Sequence, residues 1–254
     1  MPPMVLTFAA SDPTGGAGIQ ADILTLAALS CHPLSVITAL TAQDTSGVAR
    51  LWTVDADWIR EQARHLLNDV SASAFKAGVL GSAANVRAVA EIVSQYSAVP
   101  FVVDPVLASG RGDPLAAEDA LDALRELVLP HTTVLTPNSI EARRLAAPET
   151  DLASCARRLI DEGCEYVLIT GTHEGTPEVI NTLYDDSGVL REDRWPRLPG
   201  SYHGSGCTLA SAIAARLAHG AEPADAVREA QEFTWRALQA GFKPGRGQFI
   251  PHRR

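Results

Sequence analysis

Short apolar runs alternate with helical repeats along this chain. Residues 5–10, VLTFAA, form a short, mostly apolar run that stops at the turn-rich SDPTGGAG. IQADILTLAAL then predicts a helix, and LSVITALTAQ, rich in branched residues, predicts a strand. In DADWIREQARHLLNDV, Ile59, Ala63, Leu66, Leu67 and Val70 recur on one helical face. FKAGVLG and FVVDPVL predict further strands, and TVLTPN predicts a strand running into the helix SIEARRLA. EYVLITG predicts another strand. EVINTLYD and VLREDRWPRL predict an antiparallel pair around Asp186, Ser187 and Gly188. Two long helices follow, the second starting at Pro223, a residue favoured in a first turn.

Alternating strands and helices imply a mostly parallel sheet with helices on both faces, an α/β three-layer sandwich. No linker, repeat or low-complexity tract interrupts the pattern, so one domain over residues 1–254 is expected. In such sheets ligands sit beyond the carboxyl ends of the strands. The loops expected there are SDPTGGAG, AQDTSG, DPVLASGRGD, TPNSIE and TGTHEG. Gly110 and Gly112 are candidate hinges of a lid in the third of them.

Composition narrows the classes. The chain has 254 residues, enough to bury a large core without disulfides or metals. A formal net charge of −9 argues against bulk nucleic-acid binding, which needs a basic face. It leaves room for a small anionic ligand held at a helix N-terminus. The cysteines, at 31, 155, 164 and 207, show neither CxxC nor zinc-finger spacing. No secretory signal or run of membrane-spanning length is present, so a cytoplasmic protein is expected.

Several loops carry candidate chemistry. SDPTGGAG allows a tight turn and close backbone approach, but it is neither GxGxxG nor a P-loop; a plain chain reversal explains it equally. Asn138 and Glu141, three apart at a helix start, suit either a capping box or the water shell of a Mg²⁺. Asp104 follows an apolar strand and is either a turn residue or a partner for a metal or lysine. In HGSGCTLASAIAARLA, a helix starting near residue 205 aims the N–H groups of Gly204 to Cys207 at one point. Leu209, Ile213 and Leu217 form its buried stripe. The same position lowers a cysteine's pKa, so Cys207 is either a thiolate beside bound phosphate or a small buried residue. His203 adds a Cys/His hydrolase as an alternative.

Taken together, ASDPTGGAGIQAD, VITALTAQDT, DPVL, TPNSIEA and HGSGCTLASAIA resemble the hydroxymethylpyrimidine and phosphomethylpyrimidine kinases of thiamine synthesis, in the ribokinase-like superfamily. The resemblance implies ATP and Mg²⁺ as cofactors, a small pyrimidine as substrate and, by analogy, a homodimer. It implies that Asp22 and Gln43 hydrogen-bond the aminopyrimidine ring and that Ala10 and Val106 line its pocket. It implies that Gly204, Ser205, Gly206 and Cys207 form the anion hole, with Cys207 as general base or as part of that hole. Asn138 and Glu141 would organise Mg²⁺ through water, and Asp104 and Thr170 would contact the cofactor. Ala10, Val79, Thr170, Asn181 and Ser205 depart from the usual glycine, methionine, lysine, aspartate and threonine. The alternatives are a pyridoxal-type kinase of the same superfamily and a non-catalytic pyrimidine-binding protein.

Overall fold

The computed structural model describes residues 1–106 and 117–254. One sheet runs through them in the order β3-β2-β1-β4-β5-β6-β7-β8-β9. Its strands are β1 (Met4–Ser11), β2 (His32–Asp44), β3 (Gly47–Thr53), β4 (Ala74–Ala77), β5 (Phe101–Val103), β6 (Val134–Leu135), β7 (Tyr166–Thr170), β8 (Glu178–Asp185) and β9 (Gly188–Pro196). From β2 to β7 every pairing is parallel. Antiparallel hairpins close both edges, β2 with β3 and β7 with β8 and β9. The β8–β9 pair was expected. β3 was not: its residues are mostly half-exposed, so no clean apolar alternation marks it.

Strand pleating divides the core in two. Leu6, Phe8, Phe75, Phe101 and Leu135 point to one face. There they meet α2 (Ala56–Asp69), α3 (Ala83–Val93), α4 (Glu118–Ala123), α5 (Ser139–Leu145) and α6 (Leu152–Asp161). Ile59 and Ala63 of α2 are fully buried, as the periodicity predicts. Phe75 anchors an aromatic cluster, with ring centroids 5.6 Å from Tyr96 and 6.5 Å from Phe101.

Val5, Ala74, Val102, Val134 and Leu168 point the other way. They meet α1 (Gly18–Ala28), α7 (Ser205–Ala218) and α8 (Pro223–Gln239). Ala210, Ala212, Ala214 and Ala215 are fully buried, so α7 lies close against the strands. Leu209, Ile213 and Leu217 are its buried stripe, as expected. The β5 strand stops at Val103 because Pro105 cannot donate to a ladder, and Asp104 is thereby left at the strand's carboxyl end. Most of the expected lid, with Gly110 and Gly112, falls at 107–116, outside the described residues.

Candidate active site

A cleft of about 510 Å³ lies over the carboxyl ends of the central strands. Of the expected residues, Ala10, Gln43, Asp104, Val106, Asn138, Glu141, Thr170 and Gly204–Cys207 all line it. One does not. Asp22, expected to bind the pyrimidine ring, is 0 % exposed beneath the floor. Its carboxylate accepts Thr7 Oγ1 at 2.5 Å, Ser211 Oγ at 2.8 Å and Lys76 Nζ at 3.0 Å to each oxygen. Asp22 is thus not brought to the cleft wall with the other expected residues, and its oxygens are engaged in a buried ion pair. Lys76, also 0 % exposed, was not singled out from the sequence, because β4 reads as an ordinary apolar strand. Pleating turns Lys76 and Thr7 away from the aromatic core and toward α1 and α7, where they meet Asp22.

The glycine loop and the start of α7 touch backbone to backbone. Gly204 caps the helix with φ +81°, and a Cβ there would lie 1.9 Å from Gly16 O. Thr208 N–H makes the first bond of the helix, to Gly204 O at 3.0 Å. The N–H groups of Ser205, Gly206 and Cys207 precede that bond and have no helical acceptor, so this end of the cleft is suited to an anion. Across the loop, Asp12 accepts Ala17 N–H at 2.7 Å, Thr14 N–H at 2.8 Å and His203 Nε2 at 2.9 Å. Burial raises the Asp12 pKa, but the bonds from His203 and the two amides outweigh it and hold the carboxyl at about 2. His203 thus serves Asp12, and the Cys/His hydrolase pairing is not assembled.

Asp104 sits against Gly206, whose added Cβ would lie 3.3 Å from Oδ2. Oδ2 has no hydrogen-bond partner among the described residues. Burial is the largest influence on this carboxyl and the Asp22 charge adds to it. Together they exceed the pull of Lys76 and the Cys207 thiol, and Asp104 ionises at about 6. Cys207 moves further. Burial, with the Asp104 and Asp22 carboxylates, pushes its thiol up to about 12, against Lys76 and the Gly18 N–H. These influences favour the thiol over the thiolate at a side chain that is half-buried in the cleft wall. The dipole of α7 acts on it, but two carboxylates and the loss of water win. Cys207 lines the cleft at the α7 start, where both roles expected of it, general base and member of the anion hole, would be exercised.

Asn138 and Glu141 form a complete capping box. Asn138 Oδ1 accepts Ile140 N–H and Glu141 N–H at 3.0 and 2.9 Å, and Glu141 Oε2 accepts Asn138 N–H at 3.0 Å. Both still border the cleft, so capping and ligand binding are compatible. Thr170 is next to Asn138 through its N–H bond to Pro137 O, 3.0 Å. Asn181 accepts Gly171 N–H at 3.1 Å and donates to Gln231 Oε1 at 2.9 Å. Trp195 Nε1 donates to the same Gln231 oxygen at 3.0 Å and stacks on Trp235 at 6.1 Å. This apolar end, with Gln231 and the tryptophans, was not foreseen, since β9 and α8 carry no motif.

Comparison with known structures gives the class. The chain superposes on the ADP complex of Bacillus subtilis pyridoxal kinase with a TM-score of 0.91, at 28% identity, covering 100% of this chain and 98% of that one. It superposes on phosphomethylpyrimidine kinase from Clostridium difficile with a TM-score of 0.81, at 31% identity, covering 93% and 99%. Fold and site together define a ribokinase-like kinase, an enzyme that uses ATP. Sequence narrows the class. The family described as phosphomethylpyrimidine kinase matches residues 12–252. The hydroxymethylpyrimidine/phosphomethylpyrimidine kinase of Streptomyces coelicolor is 43% identical over 97% of this chain and 92% of its own length. The chain belongs to the phosphomethylpyrimidine kinase family.

Proposed function

We propose that this chain transfers the γ-phosphoryl group of ATP to 4-amino-5-hydroxymethyl-2-methylpyrimidine, to its monophosphate, or to both, as a step of thiamine synthesis. The observation that carries the reading is the meeting of a helix start and a carboxylate with one unbonded oxygen. The free N–H groups of Ser205 to Cys207 face the same space as Asp104 Oδ2. Phosphoryl transfer asks for positioning and charge stabilisation around a loose transition state, and these groups supply both.

The ring lies between Ala10 and Val106 and is oriented by the Gln43 amide, which offers one acceptor and two donors to an aminopyrimidine. The substrate oxygen then points to the start of α7. Asp104, ionising at about 6, is matched to accept a proton from a hydroxyl at neutral pH. The Cys207 thiol beside it helps keep that carboxylate ionised. The Ser205, Gly206 and Cys207 N–H groups hold the transferring oxygens. Thr170 and the Trp195, Trp235 and Gln231 end receive the nucleotide.

The residues also fit Mg²⁺. Glu141 and Asn138 supply hard oxygen donors at the cleft. Among the described residues no group of three or more acidic, histidine or cysteine side chains is placed to hold a metal directly, so these two would act through the ion's own waters. When bound there, Mg²⁺ neutralises phosphate charge. Among the described residues no helix is long and apolar enough to cross a membrane. The reading includes a single-domain cytoplasmic enzyme that dimerises. Exposed Leu40 and Trp52 on the β2–β3 hairpin support pairing through that edge, and light scattering tests it.

The deciding experiment follows ADP formation and product mass with the free alcohol, its monophosphate and pyridoxal as separate substrates. Diphosphate from the monophosphate, with or without turnover of the alcohol, is expected. Turnover of pyridoxal alone would replace this reading with the pyridoxal one. Binding without ADP in all three would leave a pyrimidine-binding protein.

A further inference from the structure

None of the motifs above includes Arg253, and its side chain does not line the cleft. It is 4 % exposed. Nε donates to Thr208 Oγ1 at 2.9 Å, Nη1 to Gly15 O at 3.3 Å, and Nη2 to Gly16 O and, at 3.4 Å, to Gly204 O. All of these acceptors are neutral. No carboxylate of a described residue is within ion-pair distance of the guanidinium. Burial lowers the Arg253 pKa, but an arginine starts so high that it keeps its charge. A full positive charge is thus buried with no carboxylate in contact, and the Asp22 and Asp12 charges act on it from farther off.

Its acceptors give that charge a direction. Gly204 O and Ser205 N–H belong to one peptide unit; Gly16 O and Ala17 N–H form another, whose N–H is already given to Asp12 at 2.7 Å. A cation on the carbonyl side polarises the N–H on the opposite side. The Gly204–Ser205 unit is the one that opens α7 toward the cleft. Arg253 is also held in place before any ligand arrives. His203 N–H donates to Phe249 O, Phe249 N–H to Ser201 O and His252 N–H to Ala237 O, each at 2.8 Å. Ile250 is buried against the glycine loop. A preorganised charge needs no rearrangement at the moment of transfer.

We propose that Arg253 is a positioning residue for phosphoryl transfer, whose charge behind the Gly204–Ser205 peptide strengthens the α7 start as a site for the transition-state oxygens. The inference rests on the kinase reading. Its test compares Arg253→Lys, which keeps the charge, with Arg253→Gln, which keeps donors without charge. Each full-length protein is read by kcat, KM for ATP, unfolding temperature and calorimetric affinity for inorganic pyrophosphate. Removing a donor aimed straight at an oxyanion costs about 100-fold to 1000-fold in kcat; acting through peptides, Arg253 should give about 30-fold. R253Q is expected to lose about that factor in kcat with KM for ATP within about 3-fold, and R253K to recover most of it. Pyrophosphate affinity should fall in the same order.

Equal losses in R253K and R253Q, or none in R253Q, overturn the proposal. So does failure of both variants to fold, which assigns Arg253 to the architecture alone. If wild-type protein turns over and the variants match it, only this inference fails. If wild-type protein turns over no substrate, the kinase reading fails, and the pyrophosphate comparison still decides whether Arg253 charges the site.

Discussion

Replacing Asp104 with asparagine separates what this carboxylate costs the fold from what it does in the cleft. Asp104 is 5 % exposed and its Oδ2 has no hydrogen-bond partner among the described residues. Burial moves its ionisation from 3.8 to about 6. The folded state therefore binds this proton more tightly than the unfolded chain. Stability contributed by the group is lost as pH rises from 3.8 to about 6 and is flat above that. Each pH unit of difference is worth about 1.4 kcal/mol, so at pH 7.5 the charged carboxylate destabilises the fold by about 3 kcal/mol.

Asparagine resembles the protonated acid in shape and is neutral at every pH. Asp104→Asn should be more stable than wild type by up to about 3 kcal/mol at pH 7.5, and by about half as much at pH 5. For a chain of this length that is roughly 6–12 °C in unfolding temperature at the higher pH, readable by scanning calorimetry. The same variant should lose about 100-fold in kcat, because an amide cannot accept the hydroxyl proton. Wild-type kcat/KM should fall below pH about 6, where Asp104 becomes protonated, and that limb should be missing from the variant. A variant less stable than wild type at pH 7.5, or a stability difference identical at the two pH values, would refute the reasoning. Asp104 would then be a structural residue.

Gln43→Leu should raise the KM for the pyrimidine about 10-fold or more and leave the KM for ATP unchanged, since only the ring loses hydrogen bonds; steady-state kinetics with each substrate varied checks this. Cys207→Ser should keep kcat within about 10-fold, because a thiol pushed up to about 12 is not the base. Loss approaching that of Asp104→Asn would restore Cys207 to the proton transfer. Lys76→Met leaves Asp22 buried without its ion-pair partner and should cost about 3–5 kcal/mol in denaturant unfolding. A variant with an unchanged midpoint would mean that Thr7 and Ser211 suffice for Asp22.

The parts of the site that were legible are those in which one short stretch carries its own geometry. HGSGCT announces a helix start because glycines and a following apolar stripe lie side by side in sequence, and α7 begins at Ser205. TPNSIE announces a capping box because its two members are three residues apart, and both bonds form. The burial of Asp22 was not legible because its motif sits beside the cleft while its side chain turns inward to Lys76, 54 residues away. Arg253 was missed because its partners lie as far as 238 residues back along the chain. The upward push on the Cys207 thiol was not legible, for an energetic reason. A helix dipole is a local feature, whereas the opposing Asp104 and Asp22 charges come from other elements.

The pairing of charges beneath the cleft explains why the two unpaired groups lie where they do. Lys76 and Asp22 satisfy one another, with Thr7 and Ser211 filling the remaining lone pairs. Asp12 is held by His203 and backbone amides. These pairings leave Asp104 without a full counter-charge and Arg253 with neutral acceptors only. Neither is favourable for stability alone, since a buried charge with no counter-charge in contact is costly. On the proposed reading, one is an acceptor for the substrate's proton and the other a cation behind an anion site. The α7 start, with Gly204 touching one group and Gly206 the other, lies between them. A phosphoryl acceptor that gives up a proton and a phosphoryl group that gathers negative charge would each relieve one of these imbalances.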